Sequence, residues 1–316
     1  MYYIVFGILY SISLLPFAVL YRLSDFFYFI TWYIIGYRKE IVFKNLLIAF
    51  PEKTEAERTK IAKEFYHHFW DNWMEALKLL SISRKTLLRR VTGNMEALET
   101  IYKSGRSCHV LMGHQFNWEW GNAFVMTRNH FSLLAAYSPL SNKILGRLFL
   151  YLRHRFGTIL IPYNDMRRGM LPYRHKQFAL ALMADQSPSN PLRSYWVNFF
   201  NQRTAFLQGP ERGARLGHMP VVFVALSKPR RGYYHLETSL LTADAGQTTE
   251  GELTRKYVQQ LEANIRRNPA LYLWSHNRWK HAWKEEYNIE RLCKKAAGPA
   301  EAGPVYQTAD QEKRSL

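Results

Sequence analysis

The sequence predicts an α/β domain with a mostly parallel central sheet flanked by helices, preceded by an N-terminal membrane-anchoring helix. Short apolar runs alternate with longer segments of helical periodicity, which is the pattern of strands joined by helical crossovers. Residues 1–21 contain no charged side chain, and that run has the length of a membrane span. At 316 residues, the chain is long enough for one large domain with appendages.

The N-terminal run is expected to be an uncleaved anchor, although an interfacial helix or a buried core helix would also fit. It lacks the basic start and small-residue cleavage site of a signal peptide. A second uncharged run, residues 26–37, is too short to span and is expected to lie along the membrane surface. Basic residues follow the first run, which places the rest of the chain in the cytoplasm: Arg22, Arg38, Lys39 and Lys44.

The first predicted element of the cytosolic domain is a helix over residues 54–80, with Thr54 as its cap. Its apolar residues recur at helical spacing: Ile61, Phe65, Phe69, Trp73, Ala76 and Leu80. We expect this stripe to pack on one side and the charged residues to face away. The full division is an anchor over 1–37, a cytosolic domain over 38–293 and a disordered tail over 294–316, where apolar content is low.

The central part of the chain supplies the predicted sheet. Strands are expected over residues 109–112, 133–137, 158–161, 178–183, 221–226 and 233–241, the last near a sheet edge. Helices are expected over residues 118–128, 141–155, 208–216 and 254–268. Pro269 ends the last of them, because proline cannot continue a helix.

The net charge of +18 predicts an acidic partner, which could be anionic lipid, an acidic carrier protein or nucleic acid. Nucleic acid fits least well, because the sequence contains no recognisable binding module. Cys108 and Cys293 have neither metal-ligand nor redox spacing, so we interpret both as reduced and structural.

The strongest local motif is His114-x4-Glu119, at the junction of a predicted strand and a predicted helix. Ligands usually bind at the carboxyl ends of parallel strands. A helical turn could bring Glu119 onto the imidazole, fixing its tautomer and leaving the other nitrogen to deprotonate a hydroxyl. The spacing is also common by chance, with His114 as a loop residue and Glu119 as a helix N-terminal charge. A zinc site fits less well, since H-E-x-x-H is absent and the adjacent pair His67-His68 does not share one helical face.

Five segments in chain order resemble one family. They are Lys44-Asn45-Leu46 with Ala49-Phe50-Pro51-Glu52; Asn117-Trp118-Glu119; Asp185-Gln186; Phe199-Phe200 with Thr204 and Gly209; and Asn264-Ile265-Arg266, Pro269 and Trp274-Ser275-His276-Asn277-Arg278-Trp279-Lys280. The chain resembles the bacterial lipid A late acyltransferases, which add secondary acyl chains to the lipid A precursor. The resemblance implies a glycerolipid acyltransferase-like fold on the cytoplasmic face of the bacterial inner membrane.

The resemblance also implies a reaction, the transfer of an acyl chain from a thioester to a lipid hydroxyl without a cofactor or metal. His114 is then the general base and Glu119 its orienter. Backbone N–H groups near Trp118 or an arginine would bind the oxyanion. The implied donor is acyl carrier protein, whose acidity the basic chain would attract, or acyl-CoA.

Three positions depart from the family pattern: Phe116 and Asn201 replace glycines, and Ser138 replaces an arginine. Either another cation such as Arg153 or Arg155 takes the place of that arginine, or the acceptor differs. The candidate substrate-binding residues are Asn117, Trp118, Arg153, Arg155, Asp185, Gln186, Arg278 and Lys280. Asp185 is either a second carboxylate near the site or a turn residue at a strand end.

Other functions stay open at this point. The acceptor could instead be an aminolipid, a glycolipid or a lysophospholipid, because related enzymes share the H-x4-D/E motif. A non-enzymatic, membrane-tethered basic binding protein and a catalytically inactive homologue serving as a scaffold are the alternatives outside catalysis.

Overall fold

The computed structural model describes residues 1–128, 130–285 and 287. Within them, seven strands form a mixed, mostly parallel sheet in the order β1-β9-β8-β2-β5-β3-β4, and two further strands form a hairpin. The strands are β1 Val91–Asn94, β2 Cys108–Met112, β3 Ser132–Tyr137, β4 Ile159–Pro162, β5 Phe178–Met183, β6 Ser194–Phe199, β7 Gln202–Leu207, β8 Val221–Arg230 and β9 Tyr233–Thr242. The predicted α/β class is confirmed.

Helices pack on the sheet and extend from its ends. Their bounds are α1 Tyr2–Leu14, α2 Phe17–Phe29, α3 Lys39–Ala49, α4 Glu55–Lys78, α5 Arg84–Arg90, α6 Glu96–Lys103, α7 Trp118–Arg128, α8 Lys143–His154, α9 Met166–Met170, α10 Gly209–Leu216 and α11 Glu252–Arg267. One apolar cluster joins α11, α3 and α4 to one side of the sheet. A second cluster joins α6, α7 and α8 to other strand side chains. Burial on two sides explains why the strands are continuous apolar runs.

Strand β2 lies at the centre of the sheet, where it pairs in parallel with both β5 and β8. Strands β3 and β5 are also parallel neighbours. Strand β9 is antiparallel to β8 and lies second from the edge, as predicted. The carboxyl ends of β2, β5 and β3 therefore meet at one edge of the sheet, and this edge carries the candidate site.

The β6–β7 hairpin was not predicted from the sequence. Its two-residue turn, Phe200-Asn201, has φ values of 50° and 59°. Two consecutive positive φ values are what a tight type I′ hairpin turn requires. Asn201 stands where the family pattern has glycine, and asparagine is one of the few other residues that adopts this conformation readily.

The uncharged N-terminal run is two helices rather than one. Helix α1 ends at Leu14, because Pro16 lacks a backbone N–H and restricts the residue before it. No single helix in the described residues is long and apolar enough to cross a membrane. The pair Tyr2–Leu14 and Phe17–Ile35, bent by 115°, passes that test together by length and composition. The single span expected over residues 1–21 is thus interrupted.

Thr54 caps helix α4 as predicted, and it does so in a capping box, in which Thr54 and Glu57 bond to each other's backbone N–H groups. Its burial differs from the prediction in the second half. Trp73 is exposed, whereas Asp71 and Glu75 are buried. The physical reason is that α2 packs along α4 and covers a face that the sequence pattern assigned to solvent.

Cys108 is a buried free thiol in β2, and burial raises its pKa to about 12. Cys293 and the tail predicted to be disordered, 294–316, lie outside the described residues.

Candidate active site

His114 lies where β2 ends, and Asp185 lies two residues after the end of β5. Because these strands are parallel neighbours, their carboxyl ends bring the two side chains together. His114 Nδ1 is 2.6 Å from Asp185 Oδ1, and the His114 backbone N–H donates to Asp185 Oδ2 over 2.8 Å. One carboxylate thus holds both the ring and the backbone of the histidine.

The contact with Asp185 fixes the tautomer of the His114 imidazole. A carboxylate only accepts hydrogen bonds, so Nδ1 carries the proton and Nε2 is left as the acceptor. Burial by itself would raise the pKa of Asp185, but the charge and hydrogen bonds of His114 outweigh it and hold that pKa below its usual value. Asp185 therefore stays ionised and stabilises a proton on the ring.

His114 Nε2 is the nitrogen left for chemistry. The amide nitrogen of Gln186 lies 3.2 Å from it and is exposed, and the His114 side chain is 16% exposed. A bound hydroxyl can replace the Gln186 amide at this nitrogen without disturbing the bond to Asp185. A nitrogen that accepts hydrogen bonds in this setting can take a proton from a bound hydroxyl group.

Gly113 makes the close approach around His114 possible. A Cβ at this position would lie 2.4 Å from Leu261 Cδ1 on α11 and 3.5 Å from Asp185 Oδ2. A larger residue would require the Leu261 side chain to shift, while its contact with the Asp185 carboxylate would be an ordinary one. The glycine of the motif is thus explained by packing.

The loop between β2 and α7, residues 113–117, carries His114 and is called the histidine loop below. It is held by the segment after α11. The Phe116 N–H donates to Leu271 O over 2.9 Å, and the Leu273 N–H donates to His114 O over 3.1 Å. Asn264 Nδ2 also donates to Gln115 Oε1 at 2.5 Å. Phe116, which replaces a glycine of the family pattern, is buried in the core.

Glu119 does not contact His114 in the way the spacing suggested. Its carboxylate forms a two-point pair with Arg153, at 3.0 Å from Nε and 2.5 Å from Nη2. The imidazole N–H was expected to donate to Glu119, and in the structure it donates to Asp185 instead. The reason is the helix direction, since α7 begins at Trp118 and turns the Glu119 carboxylate toward α8, which carries Arg153.

Trp118 connects the two charged pairs. Its ring packs edge-on against His114 with centroids 5.5 Å apart, and its Nε1 donates to Glu119 Oε1 over 3.1 Å. Asn117, in contrast, is fully buried and donates to Glu75 on α4. It shapes the start of α7, so a direct contact of Asn117 with substrate stays a prediction that its burial does not favour.

The other predicted cations have different surroundings. Arg155 donates to the carbonyl oxygens of Leu79 and Ile82 at the end of α4. Arg278 is buried and donates to Ala205 O, and Lys280 is exposed. Arg153 is linked to the surroundings of the histidine through Glu119 and Trp118, and Arg278 lies close enough to Asp185 to help lower its pKa. Substrate contacts of Arg155, Arg278 and Lys280 stay predictions.

His276 is a neighbour that sequence reasoning did not single out as a site residue. Its Nε2 accepts the Ser187 N–H over 2.9 Å, which steadies the chain just after Asp185. Burial lowers the pKa of His276 to about 4, so it remains neutral and can accept. Its place within the last family segment was the available signal.

Separate family segments meet near this site. Asn45 donates to the carbonyl oxygens of Trp274 and His276, both at 2.8 Å. Trp279 Nε1 donates to Thr204 over 2.9 Å, and its ring stacks on Phe199. Segments far apart in the chain thus build one scaffold behind the histidine loop.

Comparison with known proteins agrees with this assembly. The family model for bacterial lipid A biosynthesis acyltransferases matches residues 1–281. The chain belongs to this family. It is 25% identical over 280 residues to the lipid A biosynthesis lauroyltransferase of Escherichia coli (strain K12), covering 87% of this chain and 89% of that protein. The resemblance inferred from the motifs is confirmed, and the protein is an acyltransferase.

For this acyltransferase, membership implies an acyl donor and a lipid acceptor. Which residues bind them stays a prediction. Asp185, Gln186, Trp118 and Arg153 lie together with His114 at the sheet edge.

Proposed function

We propose that this acyltransferase moves a fatty acyl chain from an acyl thioester to a hydroxyl of a lipid A precursor, with His114 as general base. The observation that carries the proposal is the contact between Asp185 and His114 Nδ1, which leaves Nε2 at the opening of the site. This is the arrangement that deprotonation of an alcohol needs.

The proposed reaction has two steps. Nε2 takes the hydroxyl proton as the hydroxyl oxygen bonds to the thioester carbonyl, giving a tetrahedral oxyanion and an imidazolium paired with Asp185. The oxyanion collapses, the C–S bond breaks, and the leaving thiolate takes the proton back from Nε2. Atoms and charges balance without a cofactor.

Glu119 then serves a different purpose from the one its spacing suggested. In this proposal it holds Arg153, and the guanidinium stabilises negative charge on the oxyanion or on a phosphate of the acceptor. The pair is suited to this because Glu119 is buried while the Arg153 side chain is one-quarter exposed.

The donor we propose is an acyl carrier protein. A formal net charge of +18 attracts a strongly acidic carrier and speeds its encounter with the enzyme. Acyl-CoA has the same thioester and is also anionic, so the two donors are compared directly in the assay below.

We further propose that the N-terminal segment binds the bacterial inner membrane, with the catalytic domain on the cytoplasmic side. Large apolar side chains of α1, α2 and the turns up to Ile35 are exposed, among them Ile4, Ile8, Leu14, Phe26, Phe29, Ile34 and Ile35. Contiguous exposed apolar surface of this kind marks a lipid or protein contact. The inner face of α2 is occupied by α4, so α2 lies along the membrane in this proposal.

The test in cells is mass spectrometry of lipids from a strain lacking the protein, complemented by wild type or by His114→Ala. We expect one acyl chain to disappear and to return only with wild type. His175→Ala, which changes an exposed histidine ahead of β5, is the matched control and restores the chain. Equal restoration by His114→Ala would contradict the assignment of the base.

The test with purified protein identifies donor and acceptor. The lipid A precursor, an aminolipid, a glycolipid and a lysophospholipid are each offered with acyl carrier protein or coenzyme A thioesters. The comparison is needed because Ser138 replaces the arginine of the family pattern. Transfer to the lipid A precursor supports the proposal, and transfer only to another lipid replaces the acceptor while keeping the reaction.

A further inference from the structure

Glu75 is a buried carboxylate on α4 that the proposed reaction does not use. It is 1% exposed and accepts hydrogen bonds from three sides. Tyr21 on α2 donates to Oε1 over 3.0 Å. Asn117 from the histidine loop and Tyr234 on β9 donate to Oε2 over 2.9 Å and 2.6 Å. The carboxylate thus joins the N-terminal segment, the sheet and the loop of the candidate site.

Asn117 also contacts the start of α7, so it links Glu75 to that helix. Its Oδ1 accepts the Trp120 N–H over 3.1 Å and caps the helix start, where backbone N–H groups lack helical partners. The Glu75 carbonyl oxygen accepts Trp120 Nε1 over 2.7 Å. The turn that carries Trp118 and Glu119 is therefore tied to α4 by one side chain and one backbone atom of Glu75.

The three hydrogen-bond donors, Tyr21, Asn117 and Tyr234, together satisfy the Glu75 carboxylate. A buried carboxylate is costly unless its lone pairs are occupied, so loss of one donor weakens the whole arrangement. Asn117 must keep its amide nitrogen toward Glu75 to leave Oδ1 for Trp120. Glu75 thereby sets the orientation of Asn117.

We propose that Glu75 is a positioning residue for acyl transfer. Through its hydrogen bond to Glu75, Tyr21 makes the N-terminal segment part of the same positioning network. The inference rests on the proposed function. Tyr21, Glu75 and Asn117 form a chain of two hydrogen bonds from α2 to the loop between His114 and α7. The N-terminal segment thus has a role beyond membrane binding, which is to complete the geometry of the active site.

The test compares two single-atom changes on α2. Tyr21→Phe removes the bond to Glu75. Ser24→Ala is the matched control, because it removes the 2.8 Å bond from the same helix to Asp71 on α4 and leaves Glu75 untouched. With the full chain in lipid vesicles, we expect kcat to fall about tenfold in Tyr21→Phe with KM unchanged, and to stay near wild type in Ser24→Ala.

A second measurement does not depend on activity. Hydrogen exchange of the peptide covering residues 113–121 should become faster in Tyr21→Phe and remain unchanged in Ser24→Ala, because only the first variant loosens Asn117. Glu75→Gln should accelerate exchange further, since glutamine has one acceptor oxygen where the carboxylate has two.

The outcomes separate the two proposals. Equal loss of kcat in Tyr21→Phe and Ser24→Ala, or unchanged exchange at residues 113–121 in Tyr21→Phe, overturns the positioning role. If the wild-type protein transfers no acyl chain, the proposed function fails, and the exchange measurement still decides whether Glu75 holds the loop.

Discussion

Two buried carboxylates, Asp185 and Glu75, bind the two ends of the loop from His114 to Asn117 and differ in their partners. Asp185 binds the His114 ring, which can carry a positive charge, and the His114 backbone. The hydrogen bonds to the Glu75 carboxylate come from two phenols and one amide, all neutral. Both side chains are 1% exposed, so burial alone does not distinguish them.

The partners decide the protonation of each carboxyl. Burial would raise both pKa values. At Asp185 the imidazole reverses this and lowers the pKa. At Glu75 burial prevails, against the lowering effect of Lys228, and the pKa is raised. A partner that can become protonated, such as the His114 imidazole, suits the role proposed for Asp185, which is to stabilise an imidazolium. Neutral hydrogen-bond donors suit the role proposed for Glu75, which is to fix the geometry of the loop.

The largest effect is expected from Asp185→Asn. The His114 backbone N–H requires an acceptor, so the new amide turns its oxygen there and its nitrogen toward Nδ1. The ring is then forced into the tautomer with a proton on Nε2, which cannot act as base. We expect kcat to fall about 10³-fold, measured with thioester donor and lipid acceptor under saturating conditions.

Asp165→Asn is the control for that measurement, since it changes an exposed carboxylate after β4 and should leave kcat unaltered. A kcat for Asp185→Asn within threefold of wild type would show that Asp185 is not the partner of the base.

A smaller effect is expected from Glu119→Gln, which leaves Asp185 and His114 in place. The change weakens the contacts of Glu119 with Arg153 and Trp118, so kcat should fall roughly tenfold to a hundredfold. Arg153→Gln and the double variant should show a similar loss, because paired residues are not additive. A loss in Glu119→Gln larger than that in Asp185→Asn would restore Glu119 as the orienter of the imidazole.

The sequence was informative about strands that are buried on two sides. Strand β5 and helix α7 have the bounds expected from apolar runs and periodicity. Strand β1, with threonine, glycine and asparagine, lacks such a run and was missed. The β6–β7 hairpin was missed because its turn, Phe200-Asn201, carries none of the glycine-containing signals of tight turns.

The site was harder to predict because its partners are distant in sequence. His114 and Asp185 were both candidates, but their contact joins residues 71 positions apart and requires β2 and β5 to be neighbours. Periodicity does not give strand order. Glu75 was missed for a related reason: charged residues on a helix are assigned to solvent, and only the packing of α2, β9 and the loop of Asn117 around it shows otherwise.

The smallest expected effects concern stability, and they have opposite signs for the two carboxylates. Asp185 has a lowered pKa, so its contribution is present above the unfolded value of about 3.9 and disappears as pH falls through the folded pKa. Glu75 has a raised pKa, so its contribution is present below about 4.3 and is lost as pH rises through the folded pKa.

Chemical denaturation in detergent between pH 4 and pH 8 measures this difference as the free energy of unfolding. Glu75→Gln lacks the ionisation, so the stability of wild type relative to it should decline as pH rises above about 4.3. Glu64→Gln, an exposed change on the same helix, should track wild type at every pH. A stability difference between wild type and Glu75→Gln that stays constant with pH would mean that folding does not change the pKa of Glu75, and the contrast drawn between the two carboxylates would lose its Glu75 half.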